Sequence, residues 1–327
     1  MAVVVAISVS AAASAAALGA ATVVVVVSGV KAGGVGSTPM MDSLAEFVHE
    51  LPPLEAMNKN QKRDKARKRE DLPVGNALEP SYVYKVLLES DSFKVVEGRQ
   101  EDAEEFLTCL LNMLDEEMRN LIKLTEQHPE ATQGIQDGAG HENEWQEMNS
   151  RGRSNITRRV SDQATSTTTP IQLLASGLVR TSIRMLYSDT TTYNLQPFYA
   201  LQLDIQSLAV LTVEDALREN FTSEKINGYI CPKTGKIAEA TQTGSLEELP
   251  PILILHLKRM VYDSMTGGCQ KVMKEVAFPV DLEISKDMLS VNSKTRYTLK
   301  QRQYKLFSVV YHNGREATKG HYVADVY

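Results

Sequence analysis

The chain has 327 residues and a formal net charge of −6, which makes it a poor candidate for nucleic-acid binding, because neutralising phosphate needs a basic face. At 43% hydrophobic and 23% charged, it is globular in composition and long enough to bury a sizeable core. The three cysteines, Cys109, Cys231 and Cys269, include no pair at C-x-x-C spacing. That excludes a disulfide framework and a sequence-evident zinc site, and it suits a reducing compartment such as the cytoplasm.

The N-terminal run from Ala2 to Val30 carries no charge and is nearly all Ala, Val and Ser. By length it could span a bilayer, yet no positive stretch precedes it. Two readings stand side by side: a membrane-active segment, or a low-complexity stretch (residues 1–36) that folds poorly. The glycines Gly33, Gly34 and Gly36 form a joint without the lysine or spacing of a phosphate loop. Residues 37–55 predict a short helix after Pro39, with Leu44, Phe47 and Val48 on one face, ended by Pro52 and Pro53. The basic run Lys59 to Arg69 reads as a solvated face, with nuclear import as the alternative. Between Gly98 and Leu124, apolar residues at Ala103, Phe106, Leu107, Leu110, Leu111, Leu114, Met118 and Leu121 repeat at three and four, which predicts the strongest helix. Acidic residues crowd its start, opposite the positive pole of the helix.

Residues 125–170 are polar, with Trp145 the lone large apolar exception, and read as a flexible insert. Beyond them the texture turns strand-like. Ala200 to Ile205 alternates, Val213 to Phe221 is a short amphipathic helix, and Ile252 to Leu257 is a continuous apolar run of the kind buried on both faces. Tyr304 to Tyr311 is a further β-rich run. Helices first and strands later give an α+β class.

Three segments carry chemistry. Gly98 to Leu107 contains Gln100, Asp102 and Ala103 at an acidic helix start. Leu255-His256-Leu257-Lys258-Arg259 follows the apolar strand, and a histidine there reads as a satisfied core residue. Tyr304 to Val323 holds His312, Gly314, Gly320, His321 and Tyr322, a strand and turn in which a histidine could serve as general base. In this order the three resemble the ubiquitin-specific protease family: its Gln-Gln-Asp-Ala-x-Glu-Phe box, its Leu-x-His-Leu-Lys-Arg-Phe strand and its histidine box ending in Gly-His-Tyr. The match runs from about Ser37 to Tyr327.

That resemblance implies a papain-like domain of thumb, palm and fingers. It also implies thiol-dependent hydrolysis of the bond after ubiquitin's C-terminal glycine, with ubiquitin and ubiquitinated proteins as partners. His321 would be the catalytic base. Gln100 and Asp102 would lie by the ubiquitin tail, Asp102 holding its backbone amides, and Tyr322 would line the same channel. No cofactor or metal is implied. The departures are equally specific. The family's cysteine box belongs upstream of Ser37, where the Ala/Val run stands, and the Asp or Asn that orients the histidine belongs beyond Tyr327. The expectation is a domain incomplete at both ends and inactive, because Cys109 lies beside the apolar stripe, Cys269 in a Gly-Gly loop and Cys231 alone in a finger-like fragment. A non-catalytic ubiquitin- or partner-binding relative and a membrane-tethered fragment are the alternatives.

Overall fold

The computed structural model describes residues 2–9, 37–51, 77–90, 101–127, 156–159, 168–186, 191–230, 235, 237–265 and 267–326. In chain order the elements are strand β1 (Ala2–Val9), helices α1 (Pro39–Glu50), α2 (Ser81–Glu89) and α3 (Ala103–Gln127), strand β2 (Ile156–Arg159) and helix α4 (Pro170–Ala175). Strands β3 (Gly177–Met185), β4 (Thr191–Phe198) and β5 (Ala200–Leu203) lead to helix α5 (Val213–Asn220). Then come β6 (Glu224–Ile230), β7 (Ile237–Glu248), β8 (Ile252–Leu257), β9 (Met260–Asp263), β10 (Gly268–Lys271), β11 (Asp281–Glu283), β12 (Gln303–Asn313) and β13 (His321–Val326).

The N-terminal helices pack as one body. Pro39 opens α1 with its φ already suited to a helix, and the first free N–H groups are satisfied from another helix. Glu117 of α3 accepts the Met40 and Met41 N–H groups at 2.8 and 2.9 Å. Met40, Met41, Val83, Leu87, Cys109, Leu114 and Met118 form the helical core. Buried Asp115 then ties α3 to α4, accepting from Arg119, Thr169 and Gln172. Thr169 also caps α4 in a reciprocal box with Gln172.

The strands make a six-stranded sheet ordered β11-β12-β1-β8-β5, with β13 paired to β12, and a five-stranded sheet ordered β2-β4-β3-β7-β6. Strands β9 and β10 pair separately. The main core lies between the first sheet and α5, where Leu203, Ile205, Val213, Leu217, Leu253, Leu255, Leu257, Tyr304 and Val309 are buried. Thr212 and Asp215 form a capping box that starts α5. Arg259 is 1% exposed and donates to the Val272 and Lys274 carbonyls at 3.1 and 2.7 Å. It thereby pins the β9–β10 hairpin to the end of β8.

Several expectations change. Within the N-terminal run, residues 2–9 are not part of a spanning helix: β1 is an inner strand, antiparallel to β12 and to β8. A valine-rich run has high strand propensity, and two open strand edges supply the partners. No helix among the described residues is long and apolar enough to cross a membrane. Helix α3 runs on to Gln127, and within the supposed insert Ile156–Arg159 forms β2, parallel to β4. The rest of the N-terminal run, Ser10 to Gly36, lies outside the described residues, as do the basic run Lys59 to Arg69 and Trp145.

Candidate active site

The two cores meet where the start of α3 lies on the first sheet. Strand β8 alternates across that boundary. Leu253, Leu255 and Leu257 enter the main core, while Ile252 and Ile254 pack with Leu107 and Leu111 of α3, and with Val310 and Tyr322. His256 continues the second row. The polar ends of four segments gather at the N-terminal end of this seam: Asp102 and Glu104 from α3, His256 from β8, His312 from β12 and Tyr322 from β13.

Asp102 is the N-cap of α3. Its Oδ1 accepts the Glu104 N–H at 2.8 Å and the Glu105 N–H at 3.4 Å, satisfying orphan donors at the positive pole. The same carboxylate lies close to His256 and acts electrostatically on His256, His312 and Tyr322. The Tyr322 hydroxyl accepts the Ala103 N–H, and burial, reinforced by Asp102, pushes the phenol above its ordinary range.

His256 is 8% exposed, and its Nδ1 has no hydrogen-bond partner. Glu104 Oε2 lies 3.7 Å from that nitrogen. The reading of His256 as a satisfied core residue therefore fails on one point: it is buried, but it faces two carboxylates with a ring nitrogen unbonded. Burial pulls its pKa below the usual value, against the pull of Asp102 and Glu104.

His312 is more deeply buried, at 1% exposure. The Lys271 ammonium reaches its Nδ1 at 2.8 Å and donates to the His312 and Gly314 carbonyls at 2.9 and 2.7 Å. Those three bonds use all three ammonium protons, so Nδ1 is an acceptor and the imidazole proton sits on Nε2. A side chain at Gly320 would meet that Nε2 at 2.5 Å and the Asn313 carbonyl at 2.3 Å. The glycine before His321 is thus required by close backbone approach. Tyr322 covers the ring at 4.8 Å between centroids, tilted 43°.

Burial first, and the Lys271 charge second, hold the His312 pKa below its ordinary value, with Asp102 opposing. The unfolded chain therefore binds a proton at a pH where the folded chain does not. This contribution to stability is complete above the unfolded value near 6.5 and is lost as pH falls through the folded value. Lys271→Met is expected to raise the His312 pKa, measured by NMR titration of its ring protons. An unchanged titration would remove Lys271 as a determinant.

The residues named from sequence are only partly assembled. Asp102 and Tyr322 lie together in the seam. His321 is exposed at the first position of β13, opposite Asn313. Gln100 lies outside the described residues. Sequence reading singled out neither Glu104 nor Lys271, named His312 but gave the role of base to His321, and misjudged His256. The available signal was the strand alternation that aims His256 and His312 inward.

Of the cysteines, Cys109 is buried in the helical core, where burial and then Glu105 push its thiol pKa up. A thiol so placed is a poor nucleophile. Cys269 is exposed on β10 opposite Tyr262. No hydrogen bond joins either to His321 among the described residues, and Cys231 lies outside them.

The family model "Ubiquitin carboxyl-terminal hydrolase" matches residues 29–327. The chain belongs to the ubiquitin carboxyl-terminal hydrolase family. Within it, the chain is 42% identical over 308 residues to ubiquitin carboxyl-terminal hydrolase 10 of Gallus gallus, covering 89% of this chain and 38% of that one. It is 41% identical over 305 residues to the Mus musculus protein of the same name, with the same two coverages. A probable ubiquitin carboxyl-terminal hydrolase 3 of Schizosaccharomyces pombe is 33% identical over 266 residues, 77% of this chain and 51% of that one. The chain thus spans well under half the length of the hydrolase 10 relatives. Among solved structures, it resembles a chain of the SAGA Ubp8/Sgf11/Sus1/Sgf73 DUB module bound to ubiquitin aldehyde. The TM-score is 0.56 at 18% identity, covering 88% of this chain and 51% of that chain. That likeness carries the fold: the α+β, papain-like fold of the ubiquitin-specific proteases.

Proposed function

We propose that this 327-residue polypeptide binds the C-terminal tail of ubiquitin at the α3–sheet seam and does not cleave it. The observation that carries the reading is the position of Asp102: it is half-buried at the head of α3, with one carboxylate oxygen held by two backbone N–H groups. A carboxylate fixed in this way is a pre-organised acceptor for the backbone amides of an extended peptide. Tyr322 lines the same seam, and His321, exposed at the start of the same strand, is the residue that would act as base in a family hydrolase.

Hydrolysis needs a thiolate within reach of that base. Cys109 is buried among helices, and neither it nor Cys269 is bonded to His321. Binding without turnover is the reading this arrangement supports, in the cytoplasm or, through the basic run, the nucleus. Titration of the chain with ubiquitin by calorimetry is expected to give saturable binding. Removing the last residues of ubiquitin, or Asp102→Ala, should weaken it about tenfold or more, the scale of losing a charged hydrogen bond. Equal affinity for tailless ubiquitin would place the contact elsewhere.

A further inference from the structure

The geometry points to a divalent metal site, of the zinc class, formed in the ubiquitin-free chain by His256 Nδ1, Glu104 and Asp102, the last being the carboxylate proposed above to meet the ubiquitin tail, so that ion and tail would compete for it. One ligand atom from each of the three residues lies within 4.8 Å of the other two. The imidazole nitrogen is buried, unbonded, and 3.7 Å from Glu104 Oε2. Ligands bound to zinc at about 2.0–2.2 Å sit roughly 3.3–3.6 Å from one another in a tetrahedron. The His256–Glu104 pair therefore needs only slight closing.

The supports are those of a ligand set. The other oxygen of Glu104, Oε1, accepts the Thr108 hydroxyl at 2.9 Å. Oδ1 of Asp102 accepts the two N–H groups that start α3. Each carboxylate is thus oriented by a bond on one oxygen, the arrangement that fixes metal-ligating side chains. Asp102 and Glu104 are partly buried and His256 is buried, and the Glu104 side chain keeps only 12% of its surface exposed against 11% for His256, so an ion held among them would be largely shielded from water. Two carboxylates close together beside an imidazole offer a compact anionic set of one nitrogen and two oxygens. Such a set suits zinc and leaves a fourth position open. No thiolate takes part, so this centre differs in kind from any cysteine-bound zinc.

The test is titration of the full chain with Zn²⁺ against a chromophoric chelator, together with substitution by Co²⁺. One ion per chain is expected. His256→Gln and Glu104→Gln should each weaken it at least tenfold, while the control His49→Gln, at an exposed position of α1, leaves it unchanged. The cobalt form should show d–d absorption without a thiolate charge-transfer band. NMR of the wild-type chain should show paramagnetic displacement of the His256 ring signals, which decides the matter even if a variant fails to fold. Absence of stoichiometric zinc, a thiolate band, undisturbed His256 signals or full affinity in folded His256→Gln would each overturn the site.

Discussion

A chain beginning at Ser37 is expected to lose its cooperative thermal transition and to collect in soluble aggregates. Strand β1 lies between β8 and β12, paired from Ala2 opposite Tyr311 to Val9 opposite Tyr304 on one side, and from Val4 opposite His256 to Ser8 opposite Ile252 on the other. Deleting it strands two rows of backbone donors and acceptors in the middle of a sheet. Each lost bond costs about 1 kcal/mol net, and more where the orphaned group stays buried. A folded domain has only about 5–15 kcal/mol of total margin. The deletion also opens two unprotected edges, which template intermolecular pairing.

The effect reaches the site, because β1 sets the spacing between the strands that carry His256 and His312. Val5→Pro makes the same test with one substitution, since proline cannot donate to an inner ladder. Size-exclusion chromatography with calorimetry checks both variants. A monomer with an undiminished transition in the truncated chain would mean that β1 contributes nothing to the sheet.

Much of this fold could be read from periodicity. The stripe from Phe106 to Leu121 recurs at helical spacing and does form α3, and the run Ile252–Leu257 is buried on both faces as its unbroken apolar character implies. These segments announce themselves because burial acts on residues close in sequence. Strand β1 does not, because a valine-rich run of unspecified partner satisfies a bilayer, an aggregate or a sheet equally well. What selects the sheet is the pair of open edges on β8 and β12, about 250 and 300 residues further on. The extent of α3 at its start depended on the Asp102 side chain acting as cap, and sequence alone left the boundary several residues too early.

The site divides along the same line. Asp102 and Tyr322 could be named because family boxes preserve local order. Glu104 against His256 and Lys271 against His312 are contacts across about 150 and 40 residues, and no local pattern encodes them. His256 was assigned a satisfied role because buried polar groups nearly always find partners. Its unbonded Nδ1 is an exception visible only once α3 is laid on the sheet. The burial of the Cys109 thiol in the helical core is likewise a three-dimensional fact, one that its place on the apolar stripe only hinted at.

Recognition of ubiquitin without an attacking sulfur is tested by reaction with ubiquitin bearing a C-terminal electrophile. Removing the nucleophile of a hydrolase costs on the order of a million-fold in turnover, as in a serine protease stripped of its serine. A base alone cannot form the covalent intermediate. The expected result is a complex that is retained on native chromatography yet separates completely on a denaturing gel, with unlabelled chain recovered by mass spectrometry. A covalent adduct that vanishes in Cys109→Ala, Cys231→Ala or Cys269→Ala would contradict the account and identify the sulfur that attacks.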